Sequence, residues 1–198
     1  NAIGYIPCDR ENESVAKALE YAYDDWCISV LADSLGDTET KEKYARFADA
    51  YEFYFDPATR FMRGLDSKGE WRTPFNPRSS NHRNDDYCEG TAWQWTWFVP
   101  HDIEGLTQLM GGREKTIEEL DYMFANTPTD FLWNQFYNHA NEPVHHVPFL
   151  YNRLGQPWKT QYWTRFICQK AYKNEVKGLV GNEDVGQMSA WYVLASIG

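Results

Sequence analysis

Residues 14–35 read SVAKALEYAYDDWCISVLADSL, and this stretch decides the fold class. Its apolar side chains recur every three or four positions, which predicts a single helix with one buried face. Ser14 is expected to cap the start of this helix and Gly36 its end. Residues 37–55 repeat the spacing up to Pro57, so a second helix and a helical hairpin are predicted. The apolar positions of the first helix are Val15, Ala18, Leu19, Ala22, Trp26, Val30 and Leu31.

Most of the remaining chain also has helical spacing. No sequence repeat of fixed length is visible, which disfavours a regular solenoid, and residues 61–71 read instead as two short extended runs around a β-turn. We therefore expect one all-α domain of helical hairpins, in a toroid or an irregular bundle, with a small β-hairpin. The further helices are predicted at 89–99, 101–112, 114–125, 143–154, 157–172 and 184–197, each next to a Gly or Pro.

The composition excludes several classes of partner. The net charge of −10 disfavours nucleic acid and anionic lipid, whose phosphates attract clusters of Lys and Arg. No apolar run approaches the roughly 20 residues that span a bilayer, so membrane insertion is not expected. Aromatic residues make up 17% of the chain, and most of them belong in a core. Rings beside carboxylates and amides also suit sugar binding, because the C–H face of a pyranose packs on an aromatic plane.

The segment 87–97, YCEGTAWQWTW, is the first of three that are rich in polar groups. If Glu89 lies on a helix, Trp93 follows one turn later, and an indole beside the carboxyl would favour its protonated form. A protonated carboxyl is what a general acid requires. The alternative is that Glu89 is a surface residue at a helix start.

The segment 139–146, HANEPVHH, combines imidazoles with oxygen donors. A zinc peptidase would need His-Glu-x-x-His on one helix, and that order is absent. The oxygens of Asn141 and Glu142 suit calcium instead, a hard cation that takes about six to eight oxygen ligands. The alternative is that these side chains cap a helix at Pro143.

The segment 181–191, GNEDVGQMSAW, places Glu183 and Asp184 at the predicted start of the last helix. Unpaired backbone N–H groups and the helix dipole stabilise an ionised carboxylate there, which suits a general base. An N-cap would account for one acid, but less well for Asn, Glu, Asp and Gln together. One protonated acid and one ionised base is the pattern of glycoside hydrolysis.

Five strings of this sequence resemble, in the same order, the signature blocks of glycoside hydrolase family 92, a family of calcium-dependent α-mannosidases. The resemblance covers nearly the whole chain. It implies an inverting exo-enzyme whose catalytic domain is an (α/α) six-hairpin toroid packed against an N-terminal β-sandwich domain. The five blocks are CDRENESVAKALEYAYDDW (8–26), EGTAWQWTWFVPHD (89–102), NEPVHHVPFLYN (141–152), GQPWKTQ (155–161) and GNEDVGQMSAWY (181–192).

The resemblance also implies roles for the acidic residues. Glu89 in EGTAWQ matches the general acid of the family. Asp184 in GNEDVGQ matches its general base, with Glu183 as a helper or a rival for that role.

The other site residues follow from the same blocks. Asn141 and Glu142 match the region that binds calcium and the terminal mannose. Calcium would act as a template and Lewis acid on sugar hydroxyls. Residues expected to contact or support the sugar are Trp93, His145 and Gln187.

Enzymes of this family carry further segments on both sides of these blocks. Residues 1–198 are therefore expected to form one partial catalytic domain, the C-terminal portion of the toroid, without the β-sandwich domain and the first toroid helices. Faces that would pack on those segments should be exposed, so the piece is expected to self-associate. The implied substrate is a glycan with terminal mannose, of the α-1,2 type, and the implied location in a bacterium is periplasmic, cell-surface or secreted.

Two other functions fit the same residues. A carbohydrate-binding or structural module without turnover would use the same aromatic and amide side chains. A different inverting α-toroid glycosidase could act on α-glucosides. Dependence on calcium would favour the mannosidase, whereas binding without hydrolysis would favour the module.

Overall fold

The computed structural model describes residues 3–81 and 83–198. The chain forms two compact units, Asn1–Met110 and Gly111–Gly198. Both units are built mainly from helices, as the sequence predicts. A single partial catalytic domain over residues 1–198 stays a prediction.

The first unit is built on the predicted helical hairpin. Helix α1 (Ser14–Leu35) ends at Gly36, whose φ of 76° lies in the left-handed region that favours glycine. Helix α2 (Thr38–Ala48) begins after Asp37, whose carboxylate accepts a backbone N–H of the first turn at 3.0 Å. A 3-10 helix (Asp49–Tyr54) continues from α2, so the α-helical part of the second predicted helix is shorter than expected.

The start of α1 is not capped by Ser14, and that prediction was wrong. The residue before the helix is Glu13, which has a left-handed backbone with φ 57°, and Ser14 is the first helical residue. The Ser14 hydroxyl donates to the carboxylate of Asp86 at 3.1 Å. The carbonyl of Asp86 accepts the N–H groups of Val15 and Ala16. A distant loop thus satisfies the helix start.

A small β-hairpin follows the 3-10 helix, as predicted for this part of the chain. Strands β1 (Phe55–Asp56) and β2 (Phe61–Met62) pair in antiparallel fashion. A further bridge between Leu65 and Trp71 encloses the predicted turn. Strand β1 lies where the second helix was expected to end. Pro57 explains the difference, because the residue before a proline avoids the helical region.

Two short helices complete the first unit. Helix α3 (Ala92–Trp95) is a single turn, so the predicted extent of 89–99 was wrong. Helix α4 (Ile103–Leu109) begins after Asp102, where a restart was predicted. The Asp102 carboxylate accepts a backbone N–H of α4 at 2.8 Å and the hydroxyl of Tyr51 at 2.7 Å. Asp102 therefore links α4 to the 3-10 helix Asp49–Tyr54, which contains Tyr51.

The second unit has a helical part that the sequence predicts well and a central segment that it does not. The helix predicted at 143–154 was wrong, because this segment forms two 3-10 turns, Glu142–Val144 and Val147–Phe149, ahead of one α-helical turn. Pro148 lies inside the predicted helix, where its missing backbone N–H removes a helical hydrogen bond. The α-helices described in this unit are α5 (Arg113–Ala125), α6 (Leu150–Arg153), α7 (Pro157–Lys170) and α8 (Gln187–Ile197).

Helices α1 and α8 present apolar side chains at the surface. The predicted buried face of α1 was wrong in its second half, because Trp26, Val30 and Leu31 are exposed, Leu31 by 61%. In α8, Ile197 is exposed by 77%. Apolar patches of this kind often mark surfaces that pack against another segment. Within the described ranges, no helix has the length and apolar character needed to cross a membrane.

Candidate functional site

Glu89 lies in the loop ahead of helix α3 and is exposed. Its backbone is left-handed, with φ 46°, so its predicted position on a helix was wrong. The part-buried setting expected for its carboxyl is not found either. Trp93 is buried and meets Phe61 edge-on, with ring centroids 4.8 Å apart. A left-handed backbone is uncommon for a residue other than glycine, and such residues cluster at functional sites.

The loop end that carries Glu89 lies near the start of helix α1. Burial raises the pKa of the Cys88 thiol to about 11, and the negative charges of Glu13 and Glu89 add to this effect. Glu13 is the residue that precedes α1. Carboxylates from two parts of the sequence, Glu13 and Glu20 at helix α1 and Glu89 in the loop, therefore act on one thiol.

Asp86 lies in this loop, three residues before Glu89, and its side chain is buried. Its carboxylate forms an ion pair with Arg72, whose Nε lies 3.1 Å away, and accepts the Ser14 hydroxyl. Burial raises the pKa of Asp86, and the charge of Arg72 opposes that rise. Gly64 packs so closely that a Cβ there would lie 2.2 Å from the carboxylate. The loop that leads to Glu89 is thus anchored by the buried carboxylate of Asp86 and its ion pair with the half-buried Arg72, which the sequence pattern did not reveal.

Asn141 and Glu142 lie where a 3-10 turn, Glu142–Val144, begins in the second unit. Both residues are half-buried. Asn141 occupies the N-cap position with an extended backbone, φ −136°, yet its side chain makes no capping hydrogen bond. Capping by Asn141, the alternative explanation of this segment, is therefore not supported.

The side chains of Asn141 and Glu142 offer oxygen donors, which fit a hard cation. Asn138 is fully buried, and neither atom of its amide has a hydrogen-bond partner. Such a group is costly unless a ligand or water satisfies it. No group of three or more His, Cys, Asp or Glu that could hold a metal occurs in residues 3–81 and 83–198. Asn138, Asn141 and Glu142 therefore fit calcium in kind, but would supply only part of the about six to eight oxygens that it takes.

Asp184 stands on a left-handed turn ahead of helix α8. Asp184, Val185 and Gly186 have φ values of 45°, 56° and 92°. The predicted helix start at Asp184 was therefore wrong, and the helix begins at Gln187. Asp184 is exposed. The left-handed region is costly for the β-branched Val185, and strain of this kind persists only where surrounding contacts hold it.

Glu183 has a different environment from its neighbour Asp184. Its two carboxylate oxygens accept the N–H and the hydroxyl of Ser189, at 3.0 and 2.9 Å. It thereby satisfies a backbone donor in the first turn of α8, as a capping residue does. The sequence could not separate these two acids, and the structure gives them distinct positions.

The second and third polar segments touch each other within the second unit. Gly181 lies so close to Ala140 that a Cβ at position 181 would be 2.4 Å from the Ala140 carbonyl oxygen. Only a glycine permits this approach without a backbone shift. The loop that holds Asn141 and the loop that holds Asp184 are therefore neighbours.

His145 joins these two loops. Its Nε2 lies 3.0 Å from the carbonyl oxygen of His139, and its Nδ1 lies 3.4 Å from the amide nitrogen of Gln187. Burial lowers the pKa of His145, while the bond to His139 and the charge of Asp184 oppose that effect. The structure thus brings His145, Gln187 and Asp184 together. Direct contact of His145 with a sugar stays a prediction, because the residue is buried.

Sequence reasoning gave no role to two buried residues near these loops, Asn138 and His139, or to the half-buried Tyr172. Both ring nitrogens of His139 lie 2.8 Å from tyrosine hydroxyls, those of Tyr137 and Tyr172. Burial and the neighbouring charge of His145 lower the pKa of His139 to about 2. His139 is the first residue of the segment HANEPVHH, and Tyr137 and Asn138 directly precede it, so a local signal for these residues was present. Tyr172 has no such signal, because it is far from the segment in sequence.

Solved structures of mannosidases are similar to this chain. A family GH92 alpha-mannosidase from Bacteroides thetaiotaomicron is 45% identical, with a TM-score of 0.90 over 99% of this chain and 26% of that one. The complex of this enzyme with mannoimidazole has a TM-score of 0.89 over 96% of this chain. A family GH92 inverting mannosidase from the same bacterium is 39% identical, with a TM-score of 0.88 over 100% of this chain and 28% of its own. The predicted fold class is confirmed: all-α, with helical hairpins of an (α/α) toroid and a small β-hairpin.

A curated relative and a family model also match over the full sequence. An uncharacterized secreted glycosidase from Arthroderma benhamiae is 27% identical over 227 residues, which cover 100% of this chain and 28% of the relative. The chain thus spans about a quarter of the length of the relatives that it matches. The model of the glycosyl hydrolase family 92 catalytic domain matches residues 1–198. This chain therefore belongs to glycosyl hydrolase family 92.

Proposed function

We propose that the enzyme to which this chain belongs hydrolyses terminal α-linked mannose from glycans. The similarity to a GH92 alpha-mannosidase and to an inverting mannosidase supports the substrate class and the reaction. The observation that carries the proposal is the setting of Asp184, exposed on a strained turn while Glu183 binds Ser189. Strained, accessible carboxylates are suited to chemistry rather than to packing.

Glu89 is the proposed general acid and Asp184 the proposed general base. The Glu89 carboxyl donates its proton to the glycosidic oxygen, so that the bond to mannose C1 breaks and the rest of the glycan leaves as an alcohol. The Asp184 carboxylate takes a proton from a water molecule that attacks C1 from the opposite face. Inversion of this kind requires roughly 6.5–9.5 Å between the two carboxyl groups, which leaves room for the water. Proton exchange with solvent then restores both residues.

Calcium is the proposed cofactor. Asn141 and Glu142 would hold it, with Asn138 as a further oxygen donor. When bound, it would supply Lewis-acid polarisation of sugar hydroxyls and a template for the bound ring. Trp93 and Gln187 are proposed to shape and support the sugar site, Gln187 through its contact with His145.

The proposed linkage class is α-1,2. The relative from Arthroderma benhamiae is described as secreted, which supports a location outside the cytoplasm, in the periplasm, at the cell surface or in the medium.

The intact enzyme is expected to release mannose from a panel of mannobioses, fastest from the α-1,2-linked one. Removal of divalent cations by a chelator should lower this rate by more than about tenfold, and added calcium should restore it, because oxygen donors such as Asn141 favour a hard cation. The measurement is free mannose against time, with and without chelator. Binding without release would contradict hydrolysis, and release of glucose alone from α-glucosides would contradict the substrate class.

The isolated 198-residue chain is expected to self-associate and to hydrolyse mannosides more than about tenfold more slowly than the intact enzyme. The exposed apolar side chains of α1 and α8 favour association. Hydrolysis requires acid, base, cation and sugar to be held within fractions of an ångström, which the missing segments would help to ensure. Sedimentation and parallel assays with saturating calcium measure both properties.

The variant Leu31→Glu is the control for the association, since it places a charge on the exposed part of α1. A monomeric isolated chain, or turnover within about tenfold of the intact enzyme, would contradict this prediction.

A further inference from the structure

A hydrogen-bond network centred on His139 runs through the second unit. The imidazole is fully buried, and its Nδ1 and Nε2 lie 2.8 Å from the hydroxyls of Tyr137 and Tyr172. The Tyr172 hydroxyl in turn lies 3.0 Å from the carbonyl oxygen of Met188. Met188 is in the first turn of helix α8, so the network joins the core to that turn.

A backbone carbonyl fixes the direction of each bond in this network. Because a carbonyl only accepts, the Tyr172 hydroxyl donates to Met188, and its oxygen accepts from Nε2–H of His139. The neutral imidazole then accepts at Nδ1, from the hydroxyl of Tyr137. One arrangement of protons satisfies all of these bonds.

His145 forms a second branch with an equally fixed direction. Its Nε2 must donate to the carbonyl of His139, so its Nδ1 accepts from the amide of Gln187. The carbonyl of His145 accepts the indole N–H of Trp191 at 2.9 Å. The two branches together bind Gln187, Met188 and Trp191, which lie along the first part of α8.

We propose that His139 and Tyr172 are positioning residues that hold the carboxylate of Asp184 in place. They do so through the first turn of α8, which directly follows the left-handed turn Asp184–Gly186. This inference rests on the proposed role of Asp184 as the general base.

The conformation of the turn supports this role. A left-handed backbone at the β-branched Val185 is unfavourable by itself, so contacts on both sides must hold it. On one side Glu183 reaches across the turn to Ser189. On the other, the network fixes the first helical residues.

The position of a general base matters more to the rate than to substrate binding. A displacement of about 1 Å can lower the rate by about 100-fold. His139 is fully buried, and Tyr172 is half-buried with its hydroxyl engaged by His139 and Met188. Loosening the network should therefore impair the attack of water, a step that all mannosides share whatever their leaving group.

Tyr172→Phe in the intact enzyme tests the proposal, because it deletes both hydrogen bonds of this hydroxyl and keeps the ring between Trp191 and Tyr192. We expect kcat to fall by about 10- to 100-fold, equally for a mannobiose and an activated aryl mannoside, with KM within about threefold. Hydrogen exchange of the amides at 184–190 should become faster. Tyr192→Phe is the matched control, because it removes a hydroxyl at an exposed position of helix α8. It should change neither kcat nor the amide exchange.

His139→Gln is the second variant, since its amide nitrogen can still donate to Tyr172. It should keep more activity than His139→Leu, which cannot donate. If kcat of Tyr172→Phe stays within about twofold of the parent, or if only KM changes, the network does not position the base. A parent enzyme that releases no mannose would instead contradict the proposed function, and unchanged amide exchange in Tyr172→Phe would then contradict the network separately.

Discussion

Asp184→Asn in the intact enzyme is expected to lower kcat by about 10²- to 10⁴-fold on every mannoside, the range that loss of a general base usually causes. The amide has nearly the same shape as the carboxylate, so the left-handed turn at Asp184 should persist. It cannot take a proton from the attacking water. The loss should therefore be the same for activated and unactivated substrates, while KM changes little, and steady-state kinetics with both substrate types measure this.

Glu183→Gln is the matched control for that variant. Glu183 binds Ser189 and supports the start of α8, so its amide form should lower the melting temperature and reduce kcat by less than about tenfold. A loss for Glu183→Gln as large as that for Asp184→Asn would reverse the assignment of the two acids.

Glu89→Gln is expected to have an effect that depends on the leaving group. Turnover of mannobioses should fall by about 10²- to 10⁴-fold, because a sugar alcohol leaves only when its oxygen receives a proton. An aryl mannoside with a good leaving group needs no such proton, so its turnover should fall by less than about tenfold. The ratio of the two kcat values is the measurement.

Glu13→Gln removes a carboxylate that acts on Cys88 together with Glu89, and it is the control for a general change in charge. It should affect both substrates slightly and equally. Equal, large losses on both substrates for Glu89→Gln would remove this residue from the role of acid.

The helical hairpin of the first unit could be predicted because its signals are local. Apolar spacing, Gly36 and Asp37 define α1 and the start of α2, and the structure places the boundaries there. These local signals fail where a contact with a residue far away in the sequence determines the structure. Asp86 satisfies the start of α1 through its side chain and carbonyl, and nothing near Ser14 in the sequence indicates this.

The turn before α8 could not be predicted for a related reason. A β-branched residue disfavours the left-handed region, so Val185 argues locally against the conformation that it adopts. The hydrogen bonds that flank the turn, between His145 and Gln187 and between Glu183 and Ser189, form only when the chain has folded. A sequence departs from its local conformational preferences most often where a functional site needs a particular geometry.

The candidate site was predicted in its residue types but not in its connections. Glu89, Asp184 and Asn141 lie in the polar segments that the sequence singled out, and Glu89 and Asp184 have left-handed backbones. The different task of Glu183 and the buried imidazole of His139 were not predictable, because both depend on which groups meet in space.

The close approach of Gly181 to Ala140 limits which substitutions the loops around these two residues can accept during evolution. Any side chain at position 181 would displace the Ala140 carbonyl, so a substitution at this position is tolerated only if the other loop moves. A substitution of Gly181 should therefore occur together with a compensating change near Ala140.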